Sequence, residues 1–216
     1  MPTERPSMTT SEEMKGYATF ADWPTVTDED YERAFLLGRR TNTWILTHFD
    51  LSAADLPAFL SDPKHPLHIG GYIRMDSRWG RAEVDGTLGL FVPTGNPALR
   101  RLEYRFTFDG GDDGPLTFIG FKEVSENLLT TVITDQLVLY FRLFRGDVGW
   151  DAADSTPALA AGILQLHLWD FVRLNIFGLR VQGPSPARYQ WGARWLQFFL
   201  GANIRFTRLK ATGRNN

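Results

Sequence analysis

The chain has 216 residues, of which 43% are hydrophobic and 22% charged, with a net charge of −2. That is enough for one substantial core in an ordinary globular composition. It contains no cysteine, which excludes disulfides, Cys-ligated zinc, iron–sulfur clusters and thiol nucleophiles together. The net charge hides a polarity: after Asp170 there are eight basic residues and no acidic one, so residues 1–170 carry −10. Because the basic residues are spaced singly, the expected match is internal, against the acidic body. With a pI near 6.1 and no recognised nucleic-acid motif, nucleic-acid binding is not expected.

Residues 1–10 read as a disordered lead, and 11–216 as one domain. No apolar h-region stands in MPTERPSMTTSEE and no run of about 20 apolar residues could span a bilayer, so the expectation is a cytoplasmic protein without a transmembrane segment. NTWILTHF (42–49) is the first strand signal, apolar on both faces. LSAADLPAFLSDP (51–63) reads as a short helix, with Ser52 as N-cap and Asp55 three later. LHIGGYIRM (67–75) is again a strand, followed by the turn MDSRWG (75–80). RAEVDGTLGLFV (81–92) alternates, placing Ala82, Val84, Leu88 and Leu90 opposite Arg81, Glu83, Asp85 and Thr87. After the turn VPTGNP (92–97), LEYRFTF (102–108) alternates too, with Leu102, Tyr104, Phe106 and Phe108 on its apolar face. DGGDDGP (109–115) is the clearest hairpin connection. LTFIGFKEV (116–124) and DQLVLYFRLF (135–144) complete the strand series.

STPALAAGILQLHLWDFVRL opens with Thr156 at N-cap and Pro157 at N1, which favours a helix over 157–174. GILQLHLW within it also alternates, so a strand over 162–169 stays open. Ser185 and Pro186 repeat the capping device ahead of a helix over 185–201, with Trp191, Trp195, Phe198 and Phe199 as its apolar stripe. The fold expected is α+β and mainly β: an antiparallel, lipocalin-like β-barrel or strongly curved sandwich, with a late helix and a C-terminal helix. Strands apolar on both faces suit a barrel whose inner face lines an apolar lumen.

The stretches GYIRMDSRWGRAEVDGTLGLF, LTFIGFKEV, YFRLFRG and AAGILQLHLWDFVR, with MKGY before them, resemble an accessory region of cholesterol-oxidase-like glucose–methanol–choline flavoproteins. The resemblance spans residues 14–183. It implies the company of a flavin oxidoreductase partner and of bulky lipophilic substrates, but no residue roles. The chain has neither a GxGxxG fingerprint nor a GxSxG elbow, so neither the flavin activity nor the activity of the α/β-hydrolase fused to some of these proteins carries over.

Lys122 and Glu123 fall on opposite faces of one strand, so one of them is expected to face the interior as a catalytic candidate. His167 and Asp170 form a second candidate acid–base pair, set against a plain reading as a satisfied buried pair. Tyr72, Arg74, Tyr104, Phe106, Phe118, Tyr140 and Trp169 are the candidate substrate-binding residues, with tyrosine hydroxyls as donors to a carbonyl or enolate. His65 and His68 have HxxH spacing but no evident third ligand, so no metal site and no cofactor are expected. The function expected is enclosure of a polyketide-, terpenoid- or sterol-like molecule and its cofactor-free cyclisation or isomerisation, pericyclic chemistry included. The alternative is a non-catalytic ligand-binding or docking module.

Overall fold

In a computed structural model, residues 5–96, 99–125, 137–166 and 180–182 are described, with the single positions 190, 193 and 194. Ten strands form one antiparallel sheet: β1 (Ser7–Trp23), β2 (Trp44–Ala53), β3 (Pro66–Met75), β4 (Gly80–Glu83), β5 (Asp85–Pro93), β6 (Leu99–Asp109), β7 (Pro115–Ser125), β8 (Leu137–Arg145), β9 (Ala158–Leu166) and β10 (Arg180–Gln182). Eight of them close into a barrel in the order β1-β2-β3-β5-β6-β7-β8-β9, with β9 pairing back onto β1. β4 is a short addition beside β3, and β10 lies along the start of β1. The lipocalin-like barrel expected from the strand patterns is therefore the observed architecture. Closure leaves the ring no free edge.

Among the described residues, the α-helices α1 (Asp28–Arg40) and α2 (Leu56–Ser61) accompany the ring. α1 is stabilised at its start by Asp30, whose carboxylate accepts from both the Thr27 amide and the Thr27 hydroxyl, at 2.9 and 2.8 Å. Acidic residues in its first turn and Arg39 and Arg40 in its last match the helix dipole. Its buried face carries Tyr31, Ala34 and Gly38. A Cβ at Gly38 would stand 2.3 Å from the Ala18 carbonyl oxygen, so only glycine lets the helix approach β1 this closely. α2 is capped by Asp55, which accepts from the Ala58 amide at 3.0 Å. Ser52, the expected cap, instead belongs to β2.

Other expectations also differ from the structure. Ser7–Thr10, expected as part of a disordered lead, are paired into β1. α1, for which no helix was expected, has a buried face of small and half-polar residues, a weak apolar signal. Residues 158–166, for which a helix was favoured, are strand β9. β9 fills the gap between β8 and β1, and α1 covers its outer side, so nearly all its residues are buried. A strand covered on both faces reads as a continuous apolar run, which periodicity cannot separate from a buried helix. Most of the helix expected over 185–201 and most of the basic segment fall outside the described residues.

Two apolar clusters result. One fills the barrel and includes Met14, Ile45, Phe49, Tyr104, Phe106, Phe118, Phe141 and Leu164. The other lies outside the ring under α1 and includes Trp23, Tyr31, Ala34, Ile119, Phe144 and Ile163. In the lumen Phe118 is stacked between Phe106 at 4.4 Å and Phe141 at 4.8 Å, while Phe49 meets Phe106 edge-on at 5.1 Å. An eight-stranded barrel is just wide enough for such side chains to fill. α2 closes one end of the lumen with Leu56 and Phe59. Phe108 and Phe20 pack with Trp79 at the other end.

Candidate functional site

Strict alternation places every second residue of a barrel strand inward. On β1 that parity selects Met8, Thr10, Glu12, Met14 and Ala18, all buried. On β6 it selects Leu102, Tyr104 and Phe106, and on β7 Leu116, Phe118 and Lys122. Three polar side chains therefore meet inside the ring, in the half nearer α2. The Lys122 ammonium contacts Glu12 Oε1 directly. The Tyr104 hydroxyl donates to the same carboxylate, at 3.1 Å to Oε1 and 3.3 Å to Oε2. Lys122 Nζ also lies 5.0 Å from the centroid of the Tyr104 ring. The side chains of Lys122 and Glu12 are 1% and 7% exposed, so the pair is effectively dry.

Burial decides the electrostatics. Loss of water pushes the Lys122 amine below its ordinary value, and the neighbouring Glu12 carboxylate only partly offsets this. The Tyr104 phenol is pushed well above its ordinary value, first by burial and then by the Glu12 charge and hydrogen bond. The trio thus holds an amine whose proton affinity burial lowers, a carboxylate in direct contact with it, and a phenol that stays a donor. These are the parts of a general acid–base site, and the amine can act as a nucleophile. One further lumen group is unusual: Thr47 Oγ1 is buried and makes no hydrogen bond. Thr47 faces Met14 across the β1–β2 ladder, next to the Glu12–Phe49 pair.

Of the residues singled out from sequence, Lys122, Tyr104, Phe106 and Phe118 come together in the lumen. Glu123 points the other way, to the outer surface, where Arg101 donates to it at 2.9 and 3.2 Å. Tyr72 lies on the outer face of β3, stacked on His48 and covered by the Arg81 guanidinium 3.8 Å from its ring centroid. Arg74, on that outer face, donates to Asp76 at 2.7 and 3.1 Å. Tyr140 is outside the ring as well, against Tyr31 of α1 and Phe121. His167, Trp169 and Asp170 lie outside the described residues.

His65 shares a hydrogen bond with the Phe59 carbonyl and His68 with Asp85, each through one ring nitrogen. Among the described residues no group of three or more His, Cys, Asp or Glu is placed to hold a metal ion. Among them, too, no helix is long and apolar enough to cross a membrane.

Sequence reasoning missed Glu12. The available signal was the alternation Met8, Thr10, Glu12, Met14, Ala18, Phe20, which sets one carboxylate among apolar and small residues at the parity of the core. Lys15 and Glu13 on the opposite parity made the stretch look solvated throughout. Compared with known protein families, curated proteins and solved structures, the chain has no match.

Proposed function

We propose that this barrel encloses a bulky, largely apolar small molecule, polyketide-, terpenoid- or sterol-like, and catalyses its cofactor-free isomerisation or cyclisation by proton transfer at Glu12, Lys122 and Tyr104. The observation that carries this reading is the dry Glu12–Lys122–Tyr104 trio in an otherwise apolar lumen. Desolvating two charges costs more than a well-packed apolar pair of the same volume would, so core stability gives little reason to keep them there. Perturbed titratable groups gathered in one enclosure are what proton-transfer chemistry requires. On this reading the apolar ligand binds at the α2 end, where Leu51, Leu67, Leu102 and Leu166 surround the trio's half of the lumen. Leu56 and Phe59 of α2 are the side chains that give way to admit it.

A second reading has its own observation. The Phe106–Phe118–Phe141 stack fills the middle of the lumen as a core would. It favours a non-catalytic lipophilic-ligand or docking module, partnering a flavin oxidoreductase. Titration with 1-anilinonaphthalene-8-sulfonate, competed by a terpenoid, sterol and polyketide panel, separates the readings when products are followed by mass spectrometry. The enzyme reading expects competition by at least one compound and its conversion, slowed about 10²–10⁴-fold in Glu12→Gln with affinity within a few-fold. Competition without conversion supports a ligand-holding module, and neither competition nor conversion overturns enclosure in both readings.

A further inference from the structure

We infer that Lys122 forms a covalent imine with a neutral, apolar aldehyde or ketone bound in the lumen, with Glu12 carrying the protons and Tyr104 holding Glu12 in place. This rests on the enclosure reading above and names its substrate class. Three observations point to a carbonyl. First, Lys122 is the only lysine among the described residues that faces the lumen, and its side chain is 1% exposed. Second, the trio is already neutral as a set, because Glu12 balances Lys122. An anionic ligand would meet the Glu12 carboxylate, and a cationic one the ammonium. A neutral electrophile meets neither penalty, and the iminium it forms keeps Glu12 as its counter-ion. Third, Thr47 Oγ1 is a buried, unbonded hydroxyl on the β2 face diagonal to Glu12, a spare donor for a ligand oxygen about 7–8 Å along the ladder. Leu102 directly opposite Lys122, and Phe118 on its own strand, supply apolar surface for the rest of the molecule.

The step balances within the trio. Glu12 takes one proton from the Lys122 ammonium, and the freed lone pair attacks the carbonyl carbon. The new C–N bond forms as the C=O π pair moves onto oxygen. Glu12 passes its proton to that oxygen and takes the second nitrogen proton in turn, which also ends on the departing oxygen. The C–O bond breaks, water leaves, and the nitrogen lone pair closes the C=N bond. An ammonium and a carbonyl have become a protonated imine and water, with Glu12 a carboxylate before and after. Burial, which lowers the amine's proton affinity, raises the neutral fraction that can attack. The resulting iminium withdraws electrons from the adjacent carbons, which suits the isomerisation or cyclisation proposed above.

The test is reductive trapping of the full chain with decanal and sodium cyanoborohydride at neutral pH. The sequence has four lysines, Lys15, Lys64, Lys122 and Lys210, so a peptide map assigns the adduct without ambiguity. The expected product gains the mass of the aldehyde less one oxygen on Lys122, at least about tenfold faster than on exposed Lys15 or Lys64. Lys122→Arg keeps the charge and should lose that adduct, and Glu12→Gln should slow it about 10²-fold or more. Labelling spread over Lys15, Lys64 and Lys210 with Lys122 spared overturns the inference in the wild-type protein alone, whatever the variants do. Decanol, which cannot form an imine, is run as a competitor of 1-anilinonaphthalene-8-sulfonate. Decanol binding with Lys122 unlabelled sinks the imine but leaves the enclosure standing, whereas no decanol binding and no label sinks both.

Discussion

Lys122 and Glu123 are consecutive residues with opposite surroundings, one sealed in the lumen against Glu12, the other on the surface against Arg101. Strand alternation made it legible that one of the two would face inward. It could not say which, because both strand faces carry apolar residues: Phe118 inside, Ile119 and Phe121 outside under α1. Nor could it name the partner, which arrives from 110 residues away. The energetics of the pair are testable by a mutant cycle. Lys122→Met leaves Glu12 buried without its cation and is expected to cost about 3–5 kcal/mol, as is Glu12→Gln, which strands the ammonium. The double variant Glu12→Gln/Lys122→Met removes both charges and should recover most of that loss in denaturant unfolding. Losses that simply add would mean the two residues are not coupled, contrary to the contact between them.

At the scale of elements, β6 and β7 were readable to within a few residues because their alternation and the DGGDDGP connection agree. The stretch 81–92 was read as one strand but is two, β4 and β5, separated at Val84, whose amide bonds to the Gly71 carbonyl at 3.2 Å. Gly71 has φ +103°, and a Cβ there would stand 2.2 Å from the His48 carbonyl oxygen. Glycine at this kink lets β3 pass from β4 to β5. α1 illustrates the opposite limit. Its docking depends on what it lacks, a side chain at Gly38, and an absent side chain leaves no hydrophobic period to detect. Gly38→Ala is expected to destabilise the fold by about 1–3 kcal/mol, despite the higher helix propensity of alanine. Thermal melts followed by circular dichroism check this, and an unchanged or raised midpoint would mean the helix can stand off from β1 at no cost.

Over the whole molecule, the same burial that assembles the trio sets the alkaline response. The lowered Lys122 value means that, up to about its ordinary 10.5, the unfolded chain holds more protons than the folded one, so this group makes stability rise with pH from its folded value upward. The raised Tyr104 value acts the other way: its contribution is complete below 10.0 and is lost as pH climbs above that, where the unfolded phenol ionises and the folded one resists. Tyr31 and Tyr140, both raised by burial, add to that loss. Unfolding free energy measured from pH 8 to 11.5 should therefore fall above about pH 10, less steeply in Tyr104→Phe. An identical alkaline limb in that variant would show that Tyr104 does not titrate between the two states. The sequence by itself determined the strand-rich composition, the turns, the apolar face of β6, and that one of two adjacent charged residues on β7 sits at an inward position, because these follow from local period and turn chemistry. Only the tertiary structure decided that β9 is a strand rather than a helix, that α1 covers it, and that Glu12, Tyr104 and Lys122 meet. Those outcomes depend on closing β1 against β9, and the pairing of residues some 145 positions apart is a property of the ring as a whole, invisible in any window of the chain.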